Sequence, residues 1–250
     1  MSEKSSTSKR TERKRLLRVV QAVLWVAICF VGAQVLVAVV MALLGEGLRS
    51  LASEDTLALL LRLMMLVVMV AALLGMPRLW GEEIPRRQLG LARPLKWSDI
   101  GWAIVGVIAA YIASMLLAVV AQWLLVWIDM AEPQNLGLSA LTPGVEMTMA
   151  FMVLVVVGPI VEEVVFRGYL YGRLQALHVR FWARTLLVSG LFAVAHWQWN
   201  VALDVFALSV IMCLLREKTG SLWPSIVMHM IKNGVAFYFV FVNPLMVGIM

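Results

Sequence analysis

Segments of mostly apolar residues at about 17–44, 57–76, 100–128 and 147–172 constrain this chain more than any other feature. A hydrocarbon core about 30 Å thick is crossed by roughly 20 apolar residues wound as a helix. Inside lipid a backbone segment must satisfy its own polar groups, so such runs fold as helices. Three shorter apolar segments follow at about 184–199, 201–215 and 224–242. The last three are closely spaced, so the fifth and sixth can also be read as one broken hairpin. The expectation is an all-α, polytopic transmembrane helical bundle of about seven spans. Composition agrees: 62% of residues are hydrophobic and 14% charged, which excludes a soluble domain. The first segment is too long for the apolar part of a signal peptide, and it is expected to stay in the mature protein.

Basic residues near spans accumulate on the cytoplasmic side. They lie here in the amino-terminal tail (Lys4, Lys9, Arg10, Arg13, Lys14, Arg15) and after the second span (Arg78, Arg86, Arg87, Arg93, Lys96). They recur after the fourth span (Arg173, Arg180, Arg184) and after the sixth (Arg216, Lys218). This alternation expects a multi-pass protein of the cell membrane with its amino terminus in the cytoplasm. The formal charge of +6 is thereby assigned to loops that meet anionic lipid headgroups, and a nucleic-acid partner is not expected. Three parts are expected: a disordered basic tail over 1–15, amino-terminal transmembrane helices over 16–145, and a second transmembrane core over 146–245. Cys29 and Cys213 both fall within spans and suggest neither a metal site nor a disulfide framework. Most of the ten tryptophans fall near span ends, as an interfacial belt requires.

The polar residues inside spans carry the chemistry. In "VVVGPIVEEVVFRGYL", Glu162, Glu163 and Arg167 interrupt an apolar run, where an ionised group costs about 2.5–3.5 kcal/mol and signals function. Glu163 and Arg167 are four apart and share a helix face, so they are expected to form an ion pair. Glu162, about 100° round the helix, is left free for something else. The adjacent Gly158-Pro159 is expected to bend the span and open backbone groups toward the same cavity. "EEIPRR", Glu82 to Arg87, matches the same spacing, but Pro85 breaks helical pairing and marks it as a decoy in a loop. In the fifth segment Phe192, His196 and Asn200 fall on one helical stripe, and in the seventh His229 and Asn233 are four apart. Counting 1.5 Å per residue puts Glu162, His196 and His229 at similar depth, roughly 10–18 Å from one end of their spans. A carboxylate in that setting suits a general base acting on water. His196 could orient that water, while His229 and Asn233 offer donors to an oxyanion. Asn200 and Asp204 are outlying members of the group. A proton or ion relay through the same residues is the rival from another class, and a non-catalytic binding or immunity protein is a third reading.

Glu162-Glu163-x-x-x-Arg167, Phe192-x-x-x-His196 and His229-x-x-x-Asn233 resemble, in order, the three motifs of the CPBP family of intramembrane proteases, the CAAX proteases and bacteriocin-processing enzymes also called Abi proteins. The flanking "GSLWPSIVMH" and "RRQLGL" resemble members as well. The resemblance implies a membrane endopeptidase that cuts membrane-associated protein or peptide substrates. It puts water activation on Glu162 and His196, and the oxyanion role on His229 and Asn233. Members are named metalloproteases, yet a metal-free glutamate mechanism has also been argued for them. Two His and a Glu could supply three ligands to a catalytic zinc, but H-E-x-x-H spacing on one helix is absent, and the balance tips to the metal-free version. A short chain with a basic tail looks more like the bacterial branch, whose substrates vary.

Overall fold

The computed structural model describes residues 2–79, 81–124, 138 and 141–243. Its order is α1 (Ser2–Arg49), α2 (Glu54–Leu79), a single turn α3 (Arg86–Leu89) and α4 (Trp97–Leu124). A helical run α5 (Val145–Ala176), then α6 (Phe181–Val194), α7 (Trp199–Thr219) and α8 (Trp223–Phe237) complete it. No strand occurs among the described residues. The chain is an all-α polytopic membrane bundle. Among the described residues five helices are long and apolar enough to cross a bilayer: α1, α2, α4, α5, and α8 with its π-helical extension to Val242.

Where segments five and six were expected, the bundle holds α6 and α7. α6 has 14 residues, about 21 Å at 1.5 Å per residue, short of a full crossing. α7 extends beyond its apolar segment to include Arg216, Glu217 and Lys218 in its last turns. Helix α1 begins at Ser2 and so takes in the basic residues of the tail. Neither Gly nor Pro stands between Ser2 and Val31 to interrupt the helix that the apolar span nucleates. The end of the third segment, 125–128, lies outside the described residues.

α6 and α4 both pack on α7, α8 packs on α4, α5 and α7, and α1 packs on α2. α5 runs through the middle of the bundle. It is the most enclosed of the five long helices, and its Leu170, Tyr171 and Leu174 meet Val188 and Phe192 of α6 in the main core. Outward faces of α1 and α4 stay apolar and exposed, as lipid-facing surfaces must.

Two π-helical stretches, Met152–Val157 and Val164–Leu170, interrupt α5. Pro159 therefore does not break the run. Gly158 donates its N–H to Val153 O, five residues back, and a Cβ on Gly158 would stand 2.8 Å from that oxygen. The wider winding leaves room for the proline ring, and it also shifts which carbonyl goes unpaired.

At the end of the bundle bearing α3, the segment 86–94 is clamped between helices. Gly90 caps α3 at φ 76°, a conformation open to glycine. Its carbonyl accepts from Leu222 N–H at 2.9 Å, Arg216 Nη2 donates to Gln88 O at 3.0 Å, and Trp223 Nε1 donates to Arg93 O at 2.9 Å. "RRQLGL" and "GSLWPSIVMH" are thus the two halves of one joint. Glu82 of the decoy motif pairs with Arg173 at 2.9 Å.

Candidate active site

Glu163 and Arg167 form the ion pair that their spacing predicts, with Nη1 2.8 Å from Oε1 and both side chains fully buried. α8 adds His229, whose Nδ1 lies 3.1 Å from the same Oε1. A carboxylate paired with a guanidinium can only accept, so Nδ1 carries the proton and donates. This fixes the ring and aims Nε2 at Glu162, 3.8 Å from its Oε2. That separation is too long for a hydrogen bond but leaves room for a third atom. Glu162 keeps 30% of its side chain exposed, against none for Glu163. The two adjacent glutamates therefore differ: one is locked and the other is open.

His196 departs from the expected stripe. α6 ends at Val194, His196 sits in the turn beyond it, and Trp197 follows in the left-handed region at φ 58°. The helical register is lost before Asn200, whose side chain lies outside the described residues. "HWQWN" has no apolar period to extend the helix. The turn still serves the ring. His196 Nδ1–H donates to Phe192 O at 2.8 Å, so Nε2 is left as the acceptor.

Phe192, itself buried, is the hub between motifs. Its ring lies 4.2 Å from the Arg167 guanidinium carbon and meets His196 and His229 edge-on, with centroids at 4.8 and 5.9 Å. A guanidinium over an aromatic face is attracted by the ring quadrupole, so Phe192 helps hold the buried charge while it spaces the two imidazoles.

Asn233 donates from Nδ2 to Leu154 O at 2.9 Å, and Pro159 explains why that carbonyl is available. Within the π-helical winding Leu154 O awaits the N–H of residue 159, and proline has none. Asn233 fills the position and keeps a second amide hydrogen free. Asp204 turns instead to Lys232, with Nζ 2.5 Å from Oδ2. That pair occupies a groove between α4, α7 and α8, lined also by Val107, Ala110, Tyr111, Ser114 and Leu208.

Sequence reasoning missed two neighbours of these side chains. Arg62 of α2 lies within electrostatic reach of Glu162; as the sole ionisable residue between Asp55 and Arg78, it carried the signal by which intramembrane charges are noticed. Leu154 acts through its backbone, and no side-chain pattern announces it.

The zinc reading finds little in the donors. Among the described residues no three His, Cys, Asp or Glu side chains are disposed to hold a metal ion. Glu163 is already committed to Arg167 and His229.

Ionisable side chains gathered by buried pairing inside an all-α membrane bundle mark a candidate active site, and the comparisons agree with the motifs. Residues 144–235 match the family model "Type II CAAX prenyl endopeptidase Rce1-like". A curated relative, the "Membrane-embedded CAAX protease MroQ" of Staphylococcus aureus (strain USA300), is 28% identical over 162 residues. That match covers 63% of this chain and 64% of the relative. No solved structure matches the chain. The family model and this relative support a CPBP-family protease, in agreement with the three motifs.

Proposed function

We propose that the protein is an intramembrane endopeptidase that hydrolyses peptide bonds of membrane-associated proteins or peptides through water activated on Glu162. The observation that carries this reading is the inequality of the glutamates: Glu163 is sealed by Arg167 and His229, and Glu162 stays open beside His229 Nε2. In the proposed reaction Glu162 takes a proton from water, and the hydroxide adds to the scissile carbonyl. His196 Nε2 accepts a hydrogen bond from the same water and so orients it. Charge gathers on the carbonyl oxygen, where the free amide hydrogen of Asn233 and, in the imidazolium form, His229 Nε2–H can donate. As the tetrahedral species collapses, the carbon–nitrogen bond breaks and Glu162 returns its proton to the leaving amine. The endopeptidase family of residues 144–235 and the protease named as a relative support the reading.

The test uses purified protein in detergent with a membrane-tethered peptide. Glu162→Gln and His196→Ala are each expected to lower cleavage by about 10²–10⁴-fold, the scale of general acid–base catalysis, while the protein elutes as the parent does. Persistent cleavage in both would sink the assignment. Ion flux without proteolysis in the parent would favour the relay. Dialysis against a zinc chelator is expected to leave cleavage intact, because the donors do not converge on a metal.

A further inference from the structure

Arg62 is not used by the mechanism above. It sits in an otherwise uncharged stretch of α2 from Thr56 to Pro77. Leu59, Leu66, Met69 and Leu73 are all but fully buried. Arg62, three after Leu59 and four before Leu66, completes that seam, so its side chain sets out toward the bundle and not toward lipid. It is half-buried and has Glu162 as its electrostatic neighbour, and α2 packs on the part of α5 that carries Glu162. Yet among the described residues Arg62 makes no hydrogen bond and no ion pair. The contrast with Arg167 is direct, since Arg167 is sealed against Glu163 at 2.8 Å.

A guanidinium kept in a span without a partner is costly, and such groups face one another, water or a ligand path. Structural pairing is already supplied elsewhere, by Glu163–Arg167 and Asp204–Lys232. What Arg62 adds is a positive fork presented beside the open carboxylate. Its planar donors match a carboxylate in a two-point bond. We propose that Arg62 is a substrate-binding residue that receives a carboxylate of the peptide lying against Glu162, and so selects substrates that carry one near the scissile bond. The proposal rests on the endopeptidase reading. The chemistry is shared by two sources, the free chain-terminal carboxylate and an Asp or Glu side chain. Arg62 lies outside the segment 144–235 matched by the family model, so this selection would come from the amino-terminal helices.

Four membrane-tethered peptides of one sequence test it: free carboxyl terminus or carboxamide, each with an aspartate near the cleavage site or asparagine in its place. The parent, Arg62→Gln and Arg62→Lys are assayed on all four. For the parent, removal of the recognised carboxylate is expected to lower kcat/KM by about 10- to 100-fold, the size of a hydrogen bond to a charged group, mainly through KM. Loss with the carboxamide alone identifies the chain terminus, and loss with asparagine alone identifies the side chain. Arg62→Gln is expected to cleave all four at the parent's reduced level, and Arg62→Lys to keep part of the preference, which a merely structural role would not do. A parent that cleaves all four alike overturns this proposal and leaves the endopeptidase reading standing. An Arg62→Gln variant that keeps the parent's preference also overturns it. A parent that cleaves none of the four, in protein eluting as folded, overturns both.

Discussion

Removing the charge at Arg167 strips Glu163 of its ion pair, and a carboxylate sealed at that position has no solvent to replace the guanidinium. Breaking a buried pair from one side typically costs about 3–5 kcal/mol, whereas replacing both partners by neutral groups of similar volume costs much less. Arg167→Met is therefore expected to lose about that much stability, and Arg167→Met with Glu163→Gln to recover most of it. Chemical denaturation in micelles, read by tryptophan fluorescence, checks this. Equal losses for the single and double variants would contradict the pairing. The positions of Glu163 and Arg167 were legible in the sequence because four-residue spacing on a helix is a geometric fact that survives the change from α to π winding nearby. The role of Phe192 was half legible: spacing put it on the His196 stripe, but its contact with Arg167 joins two helices, and one sequence carries no record of which helices touch.

Helix α5 shows what is lost when a proline is read only as a bend. The Gly158-Pro159 step was expected to open backbone groups, and it opens a particular one, Leu154 O, which Asn233 then takes. Asn233→Ala is expected to cost about 1–3 kcal/mol for leaving that carbonyl unpaired. Pro159→Ala restores an N–H at the position that should reach it, so the double variant is expected to regain stability but not cleavage. Stability and activity measured on the same preparations separate the two roles. If the double variant stays as unstable as Asn233→Ala alone, Leu154 is not the group that Pro159 deprives. The short α6 was less legible. Hydropathy continues past Val194 into aromatic residues, and nothing in that pattern marks the left-handed turn at Trp197 that places His196 beyond the helix end.

At the scale of the whole molecule, the hydropathy runs foretold the bundle, because lipid permits few other outcomes. The joint that closes one end of it was visible only as two unexplained motifs. Next to that joint Glu217 ties α7 to α5 and α6, accepting from Arg184 at 2.6 Å and from Tyr171 at 2.8 Å. Burial pushes the Glu217 carboxyl up, but these hydrogen bonds and the charges of Arg184 and Arg216 more than offset it and hold it below the usual carboxylate range. A depressed folded value means the contribution to stability is complete above the unfolded glutamate value of about 4.3 and is lost as pH falls below it. Thermal unfolding followed between about pH 6 and pH 3 is expected to show a steeper loss in the parent than in Glu217→Gln. Parallel curves would show that the Glu217 contacts to Arg184 and Tyr171 do not stabilise the fold.

The groove pair Asp204–Lys232 has a consequence for how the chain enters the bilayer. Each charge alone would burden its own helix by about 2.5–3.5 kcal/mol during insertion, and α7 has little apolar length to spare. Because the two helices are joined by a turn at Gly220–Leu222, the opposite charges can meet before either helix is released to lipid. The α7–α8 hairpin is then expected to pass into lipid as one unit, with His229 and Asn233 carried on it.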